Sequence, residues 1–151
     1  MVKGIKFVNT PDEEMLALDG TDLKDTAVVS NSFKPVIKEL PQIDSTAFIK
    51  VNERSNDKIT YTFSSVKPQF AVLSEVYYSA GWNVFIDGEK ADYTKANYVL
   101  RGLYVPAGKH NIEFRFEPKS FSKGRTITIW STILIYLLII ASLVFYFKKK
   151  Q

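Results

Sequence analysis

The sequence predicts a mainly β protein: an antiparallel β-sandwich domain with a short N-terminal helix, followed by one C-terminal transmembrane helix. Three stretches carry this prediction. From Ala47 onward apolar residues recur with a period of two, in short runs broken by Gly and Pro turns, which is the signature of strands with one buried face. Thr10-Pro11-Asp12-Glu13 combines an N-cap threonine, a proline at the first helical position and a glutamate at the third, the composition of a helix start with a capping box. Thr126 to Phe147 contains no charge, Pro or Gly and is closed by Lys148, Lys149 and Lys150.

The elements follow in chain order. Ile5–Val8 reads as a short edge strand. The helix covers Pro11–Leu18, with Met15 and Leu18 expected inward and Asp19-Gly20 as its stop. Thr26–Ser30 reads as a strand, and residues 31–46, with Pro35 and Pro41, as a connection holding at most a short strand. Phe48 and Val51 mark a strand joined through the polar turn Asn52–Asp57 to Lys58–Ser64, where Ile59, Tyr61 and Phe63 share one face. Phe70–Tyr78 is apolar apart from Ser74 and Glu75 and suits a central strand. Trp82, Val84 and Ile86 alternate again and end at Asp87-Gly88, a hairpin turn whose residues tolerate positive φ. Asn97–Val105 is the next strand, ended by Pro106-Ala107-Gly108. In His110–Glu117, Ile112, Phe114 and Phe116 lie on one face and Glu113, Arg115 and Glu117 on the other. The expected core comprises Tyr61, Phe63, Trp82, Ile86, Phe114 and Phe116.

The last apolar run spans 22 residues, roughly 33 Å as a helix against a hydrocarbon core of about 30 Å. Thirteen of its residues are Ile, Leu, Val or Phe, and at about 0.3–0.6 kcal/mol each they favour insertion by roughly 4–8 kcal/mol. Thr128, Ser131, Thr132, Ile135, Ile139, Ser142 and Tyr146 fall on one face, a stripe suited either to packing on another helix or to hydroxyls that bond back to their own helix carbonyls and face lipid. The chain thus divides into a strand–helix–strand segment at 1–46 that packs on the sandwich, the sandwich core at 47–122, the transmembrane helix at 126–147 and a basic tail at 148–151.

Charge sorts with this division. All 16 acidic residues lie within residues 1–118 against 14 of the 20 Lys and Arg; the other six basic residues flank the helix. The excess of positive charge is therefore membrane-flanking, and nothing in it favours nucleic acid. Orientation is open on charge alone, because Lys109, Arg115, Lys119, Lys123 and Arg125 balance the three terminal lysines. The N-terminal MVKGIKFVNTPDEEM has no apolar stretch of the secretory type. As a complete protein the chain would be tail-anchored with its domain in the cytoplasm; as the end of a polytopic protein, earlier helices would carry the domain outside.

Few residues suggest chemistry. His110 is the one histidine and reads as structural, Asp87 as a turn residue, and Glu113, Arg115 and Glu117 as a solvated cross-strand ion-pair ladder. No P-loop, GxSxG or HExxH motif occurs, and no cysteine. No catalytic residue, metal or cofactor is expected. Tyr77, Tyr78 and Trp82 stand out, because aromatic faces near a loop can stack on sugars, although core or loop packing accounts for such a cluster equally simply.

The strings SEVYYSAGWNVFIDG and NYVLRGLYVPAGKHNIEFRFEPKSF, followed by a last hydrophobic helix, resemble the C-terminal end of the YfhO-like family of bacterial polytopic membrane proteins, in the form found in Bacteroidetes. KFVNTPDEEMLAL and TAVVS are similar to the segment just upstream. One departure is Ser79-Ala80 before Gly81, where many members carry a proline. The resemblance implies a relation to GT-C glycosyltransferases and to transfer of lipid-linked sugars onto cell-envelope polymers. It implies an extracytoplasmic domain on the bacterial cytoplasmic membrane, with catalytic acids in an early loop that this sequence does not contain. On that reading the chain is a noncatalytic domain plus final helix, whose partners are membrane lipid, the other helices of the same protein and envelope glycan. The alternative is a stand-alone membrane-anchored binding or structural module.

Overall fold

The computed structural model describes residues 1–149, without the side chains at 119–123, 143–147 and 149. Two compact units result, Met1–Phe116 and Glu117–Gln151.

The first unit is layered. Its largest sheet has five antiparallel strands in the order β3 (Phe48–Arg54), β4 (Lys58–Ser65), β10 (Gly108–Phe116), β6 (Trp82–Ile86), β7 (Glu89–Ala91). A second antiparallel sheet has the order β5 (Gln69–Val76), β9 (Leu100–Val105), β8 (Thr94–Ala96). Their inner faces meet in one core: Ile59, Tyr61 and Phe63 of β4 and Ile112 and Phe114 of β10 oppose Ala71 and Leu73 of β5 and Leu103 and Val105 of β9. The period-two pattern produces this, since alternate residues face the same side of the pleat.

The outer face of the smaller sheet is covered by a third layer. β1 (Gly4–Val8) and β2 (Thr26–Ser30) pair in parallel through the crossover helix α1 (Pro11–Asp19). Ala27 and Val29 of β2 join Phe70 and Ala96 in a second cluster, whereas Val28 points the other way against Val8 and Ala17. A strand buried on both faces explains the unbroken apolar run at Ala27–Val29. A 3₁₀ helix, Asn31–Val36, then leads into the linker, where Asp44 accepts from Thr46 N and Oγ1, Ser65 Oγ and Val66 N.

Several expectations are corrected. The helix start forms as read, with Glu13 N donating to Thr10 Oγ1 and Glu13 Oε2 accepting from Asn9 N. Its inward face is nevertheless Glu14 and Ala17, with Leu18 partly covered, while Met15 is 51% exposed. Glu14 is tolerated inside because its carboxylate accepts from Tyr98 N at 2.9 Å and meets Lys95 at 2.8 Å. Residues 31–46 are a connection without a strand, in keeping with the expectation, and add a 3₁₀ helix. The strand expected from Asn97 begins at Leu100, because Asn97 and Tyr98 are left-handed at φ 49° and 70° and turn the chain between β8 and β9. Asn97 also serves as an extra rung of β2, donating from its backbone N to Val28 O and accepting from Val28 N through Oδ1. Tyr61, Phe63 and Phe114 occupy the core, and Trp82 and Ile86 pack against it half-buried. Phe116 does not belong there: it ends β10 and is 38% exposed.

The second unit is a single helix, α2 (Lys119–Lys149). Within it Gly124–Ser142 is long and apolar enough to cross a membrane. Thr128 and Ser131 donate their hydroxyls back to the carbonyls of Gly124 and Ile127, the local bond that hides a hydroxyl in an apolar setting. The side chain of Tyr146 and most of the basic tail at 148–151 lie outside the described residues.

Candidate functional site

The segment Tyr77–Gly81 joins β5 of one sheet to β6 of the other. Its ends are drawn together by Tyr93, whose hydroxyl donates to Tyr78 O at 2.9 Å and to Trp82 O at 3.3 Å. Trp82 N also donates to Tyr78 O. Burial pushes the Tyr93 phenol up to about 12, so it stays a neutral donor at every physiological pH. A Cβ at Gly81 would run into the ring of Phe116, so a larger residue in this loop needs that ring to move.

Beside the loop lies a cleft of about 220 Å³, lined by the rings of Tyr77, Trp82 and Tyr93 and by Ser79, Lys90 and Asp92. Tyr77 is set by an edge contact on Phe33 (centroids 5.7 Å apart, planes at 73°) and a tilted contact on Tyr93 at 5.1 Å. Trp82 is held by Phe116 at 5.3 Å and, over its face, by the Arg101 guanidinium at 4.4 Å. The structure thus brings Tyr77 and Trp82 into one cleft and leaves Tyr78 outside it. The Tyr78 ring is 53% exposed and lies over Phe116, and its part in the site is the carbonyl that Tyr93 binds.

Behind Trp82 sits a buried polar group that no sequence motif marks. Arg101 is 3% exposed, donates from Nε to Val76 O at 2.9 Å and lies between the rings of Trp82 and Phe114. Burial lowers its pKa from the usual arginine value, opposed by the nearby Tyr93, Glu75 and Tyr61. Burial likewise raises the Tyr61 phenol, reinforced by the charge of Glu75. Glu75 pairs with Arg54 at 3.2 Å. Arg101 is therefore a cation held in the interior by one carbonyl and two aromatic faces, with the charge of Glu75 nearby, and it fixes the plane of the Trp82 ring from behind.

The other singled-out residues take structural positions. His110 Nδ1–H donates to Asp87 Oδ2 at 2.6 Å, its ring stacks on Phe63, and Asp87 Oδ1 accepts from Asn111 N. The hydrogen bond from His110, with that from Asn111, holds the Asp87 carboxyl below its ordinary range. Asp87 at φ 52° and Gly88 at φ 87° form the β6–β7 hairpin turn, so this pair ties the turn to β10. Glu113 meets Lys58 across the sheet at 3.4 Å and Arg115 at 2.6 Å, which lowers its pKa, the Arg115 hydrogen bond foremost. Among the described residues no three His, Asp or Glu side chains converge as a metal-ligand set.

The functional residues that sequence reasoning missed are Tyr93, Lys90 and Asp92 in the cleft and Arg101 behind Trp82. Lys90 lies within the short strand β7 and Asp92 and Tyr93 directly follow it; the strand pairs only along one edge and leaves little periodic trace. Asp87-Gly88 was the available signal, since a two-residue hairpin requires a returning strand directly after it.

Comparison with known proteins relates the chain to a bacterial membrane protein family. The family model described as bacterial membrane protein YfhO matches residues 15–128. The chain is also 24% identical over 130 residues to the uncharacterized protein YfhO of Bacillus subtilis (strain 168). That similarity covers 86% of this chain and 14% of the relative's length. No solved structure matches the chain.

Proposed function

We propose that this chain, which belongs to the YfhO family of bacterial membrane proteins, is the noncatalytic β domain and adjoining membrane helix of a longer glycosyltransferase-related protein that modifies cell-envelope glycan. The observation that carries this reading is the cleft in which Tyr77, Trp82 and Tyr93 stand beside Lys90 and Asp92. An aromatic wall offers a sugar ring a surface for its C–H face, and adjacent charged groups bond its hydroxyls. The domain's task is then to hold acceptor or product glycan near the membrane, and the transfer chemistry belongs to other parts of the longer protein.

The domain faces away from the cytoplasm on the cytoplasmic membrane, where envelope glycan is accessible, and α2 packs with other helices of the same protein. What supports this sidedness is the resemblance of the chain to the end of a polytopic membrane protein, since charge on the two flanks of the helix is balanced. The chain has no cysteine, and Asn56 is exposed in the turn between β3 and β4. Asn56→Cys in the full-length protein should react with a membrane-impermeant thiol reagent on intact cells whose outer barrier is permeabilised. Labelling only after the inner face is opened would refute this orientation.

Glycan contact is tested by saturation-transfer NMR between the chain in detergent micelles and soluble fragments of envelope glycan. Transfer to sugar protons is expected, and it should weaken in the isosteric Asp92→Asn variant. An absence of transfer, or transfer unchanged in that variant and equally unchanged in Tyr77→Leu, would refute the cleft as the contact site.

A further inference from the structure

A second and larger cleft, of about 520 Å³, opens against the same edge strand. Lys90, Ala91 and Asp92 line both clefts, so the two are contiguous through β7. The floor of the second is apolar, built from Ile86, Ala91, Pro106 and the ring of Tyr104. Its rim carries Lys38, Glu89, Lys90 and Asp92, and the Asp87–His110 pair closes one side.

The charges on this rim differ from those elsewhere on the domain. Asp87 is committed to His110 and Asn111. The side chains of Lys38, Glu89, Lys90 and Asp92 enter no hydrogen bond or ion pair among the described residues and are exposed. Two free ammonium groups and two free carboxylates around an apolar floor discriminate between ligand classes. A phosphate or polyanion would meet Glu89, Asp92 and Asp87; a cation would meet both lysines. A neutral polyhydroxyl ligand satisfies all four, because each hydroxyl donates to a carboxylate or accepts from an ammonium while the C–H face of the ring covers the floor. β7 is also the edge of its sheet, with unpaired backbone N–H and C=O groups available to the same hydroxyls.

We propose that this second cleft is a further saccharide subsite, and that the domain holds successive units of one neutral glycan chain across the β7 edge. The inference rests on the glycan reading of the first cleft and adds the ligand's length and charge. Occupation of contiguous clefts by linked units makes the second contact intramolecular, so affinity must rise with chain length.

The test is isothermal titration of the whole chain in detergent micelles with two neutral series, N-acetylglucosamine and glucose oligomers from monomer to hexamer, and with glucose 6-phosphate as anionic probe. A trimer should bind at least about tenfold more tightly than its monomer in one series, and the phosphorylated sugar no better than glucose. The double variant Lys38→Ala/Glu89→Ala alters only the second cleft; it should reduce trimer affinity to the monomer's and leave monomer binding as it was. Lys38→Gln/Glu89→Gln serves as a second pair, closer in side-chain size, should the alanine pair unfold. Monomer binding without gain in length, a gain that survives both variants, or preference for the phosphorylated sugar overturns the second subsite while leaving the first cleft intact. Binding of neither series would overturn the underlying reading as well.

Discussion

Replacing Phe114 by Ala tests the core placement most directly. The residue is fully buried on β10, the central strand of the larger sheet, opposite Ile59 on one side and Val84 on the other. Its ring makes edge contacts with Tyr61 (6.2 Å, 78°) and Tyr93 (5.5 Å, 82°), and Arg101 lies 5.1 Å from its centroid. Truncating a buried phenylalanine costs about 3–5 kcal/mol. Two aromatic contacts and the cover over a buried cation place this site near the top of that range. Against a total stability of about 5–15 kcal/mol the loss is large, and at about 4 °C per kcal/mol it lowers the melting midpoint by roughly 15–20 °C. Phe116 supplies the internal control, being two residues along on the same face but 38% exposed. Its truncation should cost about 1–2 kcal/mol, the value of partial burial. The assay is thermal unfolding of the chain in micelles, followed by near-ultraviolet circular dichroism. Equal midpoints for F114A and F116A, or a shift of only a few degrees for F114A, would refute the layered core.

Further outcomes are expected. Gly102→Ala should destabilise more than Gly81→Ala, since a Cβ at Gly102 meets the fully buried Phe70 ring and Thr94 whereas Phe116 at Gly81 can swing outward; overpacking of this kind costs about 1–3 kcal/mol, and chemical denaturation of both variants checks the order. Glu14→Ala leaves Tyr98 N–H without its acceptor and Lys95 without its partner, so unfolding free energy should fall by about 1–3 kcal/mol; amide exchange at Tyr98 as slow as in the parent would contradict this. Asp44 is held well below the usual carboxylate range, first by the Ser65 hydroxyl and then by Thr46, and Asp87 and Glu113 are also lowered. Depressed folded values mean that their contribution is complete above the unfolded carboxylate range near 4 and is lost as pH falls through the folded values. Denaturation midpoints should therefore drop below about pH 4, with a shallower acid slope in Asp44→Asn; an identical slope would remove Asp44 from the account. Ser131→Leu with Ser142→Leu in the full-length protein should reduce detergent stability and assembly more than Ala141→Leu; an equal response would show that this face of α2 does not pack on another helix.

What the sequence determined by itself follows from local chemistry. The period-two runs set most strands and their inward faces, because side-chain direction in a strand depends only on the parity of position. Thr10, Pro11 and Glu13 set the helix start through bonds that span four residues, Asp87-Gly88 set a hairpin through positive φ, and an uncharged run of 22 residues set the apolar helix through length alone. Tertiary structure decided the rest, because it depends on which distant segments meet. Met15 is outside and Glu14 inside since the turn at Asn97 and Tyr98 presents an N–H and a lysine to that carboxylate across 84 positions. Phe116 shares the face of Phe114 but ends β10, where it packs on Trp82 and Tyr78 and stays partly exposed. The aromatic pair Tyr77 and Trp82 was legible by type, but the cleft needed Tyr93 to close the loop, Arg101 to fix the indole and β7 to bring Lys90 and Asp92 beside them. A three-residue edge strand is too short for periodicity to reveal, and a buried arginine reads in sequence like any exposed one.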